Sequence, residues 1–360
     1  MKIALTADWL PVFAGAEHVI AEFHALWPQA PLYTAIANHG HLGPLDRADI
    51  HTSTLQQWYR LLGKHHRPLL PLMPRALERF DLSEYDVILS SSHAVGKGII
   101  PPSSARHICY CHTPMRYAWE MEEEYLRDSR IPHFLWKRIR TYLRQLRRWD
   151  MTSAMRVDTF IANSRSVAER IQRIYNRESV VIHPPVADRF FSASLEQKKS
   201  DAPFLAVGRM VPYKRFDLLI ECANAHQIAL TIAGTGPEEE RLRRMAGPTV
   251  KFLGFVPDEE LCPLYAGARA VLFPPEEDAG IVPLEAQACG TPVIALGKGG
   301  ALETVIEGGT GVFFEEQTVA SLKDAIDRFA TVSFDSRTIR DHAKQFSSEK
   351  FRKHILQVVD

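Results

Sequence analysis

The stretch A-V-L-F-P-P-E-E-D-A-G-I-V-P-L-E-A-Q-A-C-G, Ala270 to Gly290, holds one complete structural unit. An apolar run of strand length, 270 to 273, stops at Pro274-Pro275. The acids and Gly280 then form a loop, and Pro283 fits the first turn of a helix. Strand, loop and helix in that order repeat in parallel sheets covered by helices. Two glutamates fall at different heights in the unit. Glu277 lies on the loop, where its carboxylate can accept hydrogen bonds from sugar hydroxyls, and the amides of Gly280, Ile281 and Val282 can meet a phosphate. Glu285, two residues past Pro283, can take two adjacent hydroxyls such as those of a ribose. Plainer roles fit the same residues: Glu277 as a solvated loop acid and Glu285 as a complement to the helix dipole.

The unit recurs on both sides. Apolar runs F-L-A-V-G at 204, A-L-T-I-A-G at 229, V-K-F-L-G at 250, P-V-I-A-L at 292 and G-V-F-F at 311 form one series with helical patterns between most of them. An earlier series comprises K-I-A-L-T-A at 2–7, D-V-I-L-S at 86–90, H-I-C-Y-C at 107–111, D-T-F-I-A at 158–162 and S-V-V-I at 179–182. Gly15 to Leu26 follows the first of these as a helix with Val19, Ile20 and Phe23 on one face. Ser192 to Pro203 has little apolar pattern and reads as a linker. The expected fold is α/β, two Rossmann-like doubly wound domains over 1–192 and 200–336. A closing helical stretch, about 337–360, is free to pack back on the first domain. Sheets of this kind bind ligands beyond the carboxyl ends of their strands, so the two domains are expected to face a cleft.

Bulk properties narrow the classes. The 360 residues suit two domains, and 46% apolar with 24% charged residues describes a globular chain. Lysine plus arginine equals aspartate plus glutamate at 43 each, so overall charge gives no case for nucleic acid as a partner. Five cysteines show no C-x-x-C spacing, which favours a reducing compartment over a disulfide or zinc framework. Asp8 interrupts the N-terminus too early for a signal-peptide core, and no run of about 18 apolar residues occurs. The expected location is cytoplasmic.

Charged residues at strand ends carry the chemistry. Gly208 closes the strand at 204, and Arg209 and Lys214 flank the loop that follows. A guanidinium fork, an ammonium point charge and helix-start amides together suit a diphosphate, although two solvated surface cations fit the pattern as well. The next loop, I-A-G-T-G-P-E-E-E-R, has Glu239 where a dinucleotide fingerprint needs its third glycine, which disfavours a dehydrogenase. His112 follows a strand and precedes Pro114, placing it at a strand end. His93, in S-S-S-H-A-V-G-K-G, ends another strand, and G-K-G there lacks the spacing of a phosphate-binding P-loop. The segment 135–149 puts Leu135, Ile139, Tyr142, Leu146 and Trp149 on one helical face amid arginines. Such a helix fits peripheral contact with anionic lipid, or packing on its own domain with a solvated basic face.

Glu277, seven residues, then Glu285 with an internal glycine, preceded by G-R-x-x-x-x-K, resembles the family-four retaining glycosyltransferases of GT-B fold. Y-C-H-T-P-M-R-Y-A-W-E at 110–120 and E-A-Q-A-C-G-T-P-V-I-A-L-G-K-G-G-A-L-E-T-V at 285–305 are most similar to bacterial mannosyltransferase-like members of surface polysaccharide synthesis, lipopolysaccharide included. The resemblance covers nearly the whole chain. It implies that Arg209 and Lys214 bind the donor diphosphate, Glu277 contacts the transferred sugar and Glu285 holds the nucleotide ribose. It also implies that Gly15, in A-G-A-E-H, lets backbone approach the donor and that His112 faces the sugar. Two positions depart from the pattern: Ala279 stands where phenylalanine is common, and Ala14 replaces the first glycine of G-G-A-E.

The activity implied is transfer of a sugar, mannose from GDP-mannose, to a lipid-linked or growing glycan at the inner face of the cytoplasmic membrane. Arg209, Lys214 and nearby amides would stabilise the departing diphosphate, so no metal and no cofactor beyond the donor is expected, in keeping with the lack of an Asp-x-Asp pair. Same-face attack, with the leaving phosphate taking the acceptor's proton, is preferred over a covalent intermediate on Glu277. A nucleotide-sugar epimerase and a catalytically silent sugar-nucleotide-binding subunit remain as alternatives.

Overall fold

The computed structural model describes residues 1–120, 122–123, 126, 132–195 and 201–360. It divides into two compact units, one comprising Met1–His183 with Arg352–Asp360 and the other Pro184–Phe351. The division falls before the expected residue 192 because Asp188–Ser192 form a short 3-10 turn whose Phe190 is buried among second-unit residues such as Tyr265. The centre of the expected linker, 196–200, lies outside the described residues.

The first unit is built on a seven-stranded parallel sheet of order β3-β2-β1-β4-β5-β6-β7. The strands are β1 (Ile3–Ala7), β2 (Leu32–Thr34), β3 (Ile50–Thr52), β4 (Val87–Ser92), β5 (Arg106–Cys111), β6 (Thr159–Ala162) and β7 (Ser179–Val181). The second unit has six parallel strands in the order β10-β9-β8-β11-β12-β13. These are β8 (Phe204–Val207), β9 (Leu230–Ala233), β10 (Val250–Gly254), β11 (Val271–Phe273), β12 (Val293–Leu296) and β13 (Gly311–Phe314). Both sheets are doubly wound. In each, the order reverses beside the first strand, between β1 and β4 and between β8 and β11, which creates a crevice at the carboxyl ends of that pair.

Continuous apolar runs suit strands covered on both faces. Val271, Phe273, Val293 and Ala295 point into a core layer with Tyr265 and Leu284, whereas Leu272, Ile294 and Leu296 point into the opposite layer with Phe216 and Leu219. The period of two thus feeds both layers at once.

Helix α1 (Gly15–Leu26) buries Val19, Ile20 and Phe23, the predicted face. The basic segment forms α2 (His133–Ala154). Leu143 and Leu146 are buried in the first unit's core, with Ile139, Tyr142 and Trp149 packed against it, whereas Phe134 at the helix start is 81% exposed. The five cysteines are all free and buried. Near the C-terminus, Ser336–Ala343 packs on the second unit, with Arg340 Nε donating to the Ala288 carbonyl at 2.9 Å. The return to the first unit therefore begins later than 337, at Arg352, which pairs with Glu22, while Arg106 holds the carbonyls of Val358 and Val359.

Candidate active site

The crevice between β8 and β11 collects most of the second-unit residues singled out above. Gly208 follows β8 with φ 149°, and the loop turns through Pro212–Lys214 into the helix α3 (Phe216–His226). Lys214 forms an ion pair with Glu277 on the loop after β11, and both side chains are only 13–16% exposed. Arg209 is exposed and has no ion pair among the described residues. Gly280, at φ 61°, sits in the left-handed region just before α4 (Ile281–Ala288) and so needs to be glycine. The first amides of such a helix lack intrahelical acceptors, and those of Ile281 and Val282 are among them.

Neighbouring loops fix this one by backbone contact. A Cβ on Gly299 would stand 2.5 Å from the Glu277 carbonyl, and one on Gly300 2.7 Å from that of Asp278. Gly300 also donates its amide to Glu277 O at 2.8 Å. The Gly234-Thr235-Gly236 turn serves the Arg209 loop in the same way, since a Cβ on Gly234 would meet Gly208 O at 2.0 Å and one on Gly236 would meet Met210 O at 2.3 Å. These glycines are spent on loop-to-loop packing, which accounts for a pair without the third member of a dinucleotide fingerprint.

Glu285 faces inward from the second turn of α4, and Tyr265 Oη donates to its Oε2 at 2.8 Å. Burial raises its pKa to about 7, against the opposing pull of the Tyr265 hydrogen bond and of Arg189 and Lys214. Tyr265 is fully buried and twenty residues away in sequence, and nothing local in the sequence marks it.

The first unit has a second constellation at its own crevice. Asp8, just past β1, is 3% exposed and accepts from the Ser92 hydroxyl at 3.0 Å and from the amides of His93 at 2.7 Å, Ala94 at 3.2 Å and Gly96. Its carboxylate also meets His93 Nδ1 at 2.8 Å. The amide cradle after β4 thus holds the protein's own carboxylate. Burial alone would raise the pKa of Asp8, but His93 and these donors hold it far below the usual range. Burial pulls His93 down and the Asp8 carboxylate outweighs it, so His93 is raised. Sequence reading passed over Asp8, although a carboxylate immediately after the first strand of a doubly wound sheet is a positional signal.

His112 ends β5 as expected, and its Nε2 lies 2.8 Å from Ser91 Oγ. Burial and the neighbouring His93 lower its pKa to about 3, which keeps the imidazole neutral. Gly15 opens α1, and a Cβ there would meet nothing of the chain within 4 Å. Ala14, at φ −144°, is in extended backbone that any residue adopts, and Glu17 Oε2 accepts its amide at 3.1 Å, so the lost glycine costs no strain. Behind the His93 loop, Lys97 (2% exposed) is paired with Asp150 (0%), which also accepts from Trp119 Nε1 and Tyr175 Oη at 2.8 Å each.

Two doubly wound units, each with charged residues at its strand-order reversal, define the GT-B class. Solved structures agree on the fold. Anabaena Alr3699/HepE in complex with UDP has a TM-score of 0.70 at 19% identity, covering 100% of this chain and 99% of that one. Sucrose-phosphate synthase from Thermosynechococcus elongatus has a TM-score of 0.74 at 16% identity, covering 100% and 98%.

Residues 13–189 match the model of Glycosyltransferase Family 4, and residues 187–346 that of Glycosyl transferases group 1. The chain belongs to family-four glycosyltransferases. Among curated relatives, a GDP-mannose-dependent alpha-(1-6)-phosphatidylinositol monomannoside mannosyltransferase of Mycolicibacterium smegmatis is 36% identical over 140 residues, 34% of this chain and 37% of that protein. A D-inositol 3-phosphate glycosyltransferase of the same organism is 31% identical over 218 residues, 53% of this chain and 50% of that protein. The chain thus spans between about a third and a half of the length of the curated relatives it matches.

Proposed function

We propose that the protein transfers mannose from GDP-mannose to a hydroxyl of a lipid-linked or growing glycan, with retention of configuration, on the cytoplasmic side of the membrane. The observation that carries this reading is the Lys214–Glu277 ion pair at the β8/β11 reversal, beside unpaired Arg209 and the glycine-started helix α4. A cation pair with helix-start amides suits a diphosphate, and the carboxylate beside them suits sugar hydroxyls. On binding, the diphosphate competes with Glu277 for Lys214, which frees the carboxylate for the sugar. Arg209 and Lys214 then stabilise charge developing on the leaving diphosphate without a metal, and the phosphate takes the acceptor's proton in same-face attack. Glu285 holds the ribose, Gly15 leaves room for the donor, and neutral His112 hydrogen-bonds the sugar. The mannosyl choice draws on the GDP-mannose-dependent relative, whereas the HepE complex contains UDP.

The test is metal-free incubation with GDP-mannose, UDP-glucose and UDP-N-acetylglucosamine, following release of nucleoside diphosphate and the mass of the sugar product. Release from GDP-mannose, abolished in Arg209→Ala and Glu277→Ala, supports the assignment. Release from a UDP-sugar alone replaces the donor, an isomerised donor points to an epimerase, and failure to bind any of the three overturns the transferase reading.

A further inference from the structure

Two buried thiols of the second unit touch each other behind the crevice. Cys262 Sγ lies 3.7 Å from Cys289 Sγ, and the two residues are 8% and 1% exposed. Cys262 sits on the helix Asp258–Gly267, and Cys289 closes α4. The same two helices carry Tyr265 and Glu285. Tyr265 is three residues beyond Cys262 and Glu285 four residues before Cys289, so the thiols and the Tyr265–Glu285 hydrogen bond are successive rungs of one helix–helix contact. Backbone bonds tie the rungs together: Cys289 donates its amide to the Glu285 carbonyl at 3.2 Å, and Thr291 Oγ1 donates to the Tyr265 carbonyl at 2.7 Å.

The thiols are in contact but unbonded. A disulfide holds its sulfurs about 2.0 Å apart, so closing the pair moves them together by on the order of 1–2 Å. Both cysteines lie in a close-packed layer with Tyr265 and Leu284, which passes such a movement on to the helices. The helix Asp258–Gly267 can yield there, because Pro263 has no amide for the Glu259 carbonyl and leaves its first turn short of a backbone bond. Among the described residues, no group of three or more His, Cys, Asp or Glu side chains is placed to hold a metal ion, so the pair is not part of a metal-binding cluster. The other cysteines are poorer targets. Burial pushes Cys109 up to about 12, Cys222 up to about 11 and Cys111 well above its usual range, which withholds the thiolate that an oxidant needs.

We propose that Cys262 and Cys289 form a reversible modification site, joined as a disulfide by a small peroxide, and that the bond weakens ligand binding at Glu285 by shifting the Tyr265–Glu285 rung. The Cys262 thiolate attacks one peroxide oxygen, the O–O bond breaks and hydroxide leaves, giving a sulfenic acid. The Cys289 sulfur then attacks the Cys262 sulfur, the S–O bond breaks, and water leaves with the thiol's proton. Overall two thiols lose two hydrogens and one peroxide becomes two waters. In a reducing compartment such a bond is transient, and a dithiol restores both thiols by exchange. The effect on donor binding rests on the proposed function, whereas formation of the bond does not.

The test treats the reduced full chain with hydrogen peroxide, alkylates the remaining thiols and maps tryptic peptides by mass. The peptide 252–269 is expected joined to 270–298 and short of two hydrogens, with Cys109, Cys111 and Cys222 recovered as alkylated thiols. Dithiothreitol separates the two peptides. The oxidised protein is expected to bind GDP-mannose about tenfold more weakly than the reduced protein, and dithiothreitol restores the affinity. Cys262→Ala and Cys289→Ala each keep the affinity of the reduced protein and lose the response to peroxide. Circular dichroism checks that each variant is folded, and the comparison of oxidised with reduced wild type needs neither. Cys262 recovered as a sulfinic acid, a different cysteine pairing, a cross-link between chains, or unchanged affinity of the fully cross-linked protein overturns the proposal. Reduced protein that binds no donor sinks the transferase reading instead, and the peptide map then decides the disulfide by itself.

Discussion

Glu285→Gln tests the electrostatics of the β8/β11 crevice without touching its shape. Glu285 is raised from 4.5 to about 7, chiefly by burial, while glutamine keeps an oxygen that can accept the Tyr265 hydroxyl. Between these two values the native state holds a proton that the unfolded chain has released. Stability therefore falls as pH rises through this window and levels off above about 7. At about 1.4 kcal/mol per unit, the full shift sets a ceiling of about 3 kcal/mol. Residual solvent contact of the carboxylate brings the expected effect to about 1–2 kcal/mol. The variant lacks this slope. It should match the wild type in urea unfolding at pH 5 and exceed it by that amount at pH 8, while losing affinity for the donor if ribose hydroxyls need the carboxylate. A stability difference that does not vary with pH, or a variant weaker at pH 8, would refute the reasoning.

Other expectations are independent of Glu285. Lys97→Ala leaves Asp150 buried without its cation and should cost about 3–5 kcal/mol in denaturant unfolding; pairing it with Asp150→Asn should recover part of the loss, and additive losses would count against the coupling. By NMR, His112 should stay neutral from pH 5 to 9, whereas His93 should titrate above its ordinary 6.5. The Asp8–His93 contribution to stability is thus complete below 6.5 and fades as pH rises through the raised value, and a His93 titrating below 6.5 would contradict the 2.8 Å pair. Gly15→Ala meets open space and should fold normally while lowering turnover, whereas Gly236→Ala meets the Met210 carbonyl at 2.3 Å and should destabilise the second unit. Equal melting temperatures for these two variants would sink the distinction.

Much of the second unit was legible because most strands carry a buried run of their own, the edge strand β10 excepted, and each ends at a glycine, proline or charge. In the first unit, β2 and β3 escaped notice: L-Y-T and I-H-T are three residues each, and their strand character comes from register against a neighbour, β2 against β1 with Leu5 opposite Leu32 and β3 against β2 with Leu32 opposite Ile50. Pairing set by a neighbour leaves no local period to read. The same limit applies to the sites. Lys214 and Glu277 were readable from residue type and strand-end position, but Tyr265 touches Glu285 only after two segments pack together. For 135–149 the amphipathic period was plain, and only the packing of Ile139, Tyr142 and Trp149 could decide which surface the apolar face meets.

The Asp8 cradle has a consequence for anion binding. Amides gathered at a strand-order reversal attract whatever anion is at hand, and both units possess such a reversal. In the first, a resident carboxylate has already claimed the donors. That reversal is electrostatically self-satisfied, its amides committed to an internal acid before any outside anion arrives, whereas the first amides of α4 in the second unit have no such resident partner among the described residues.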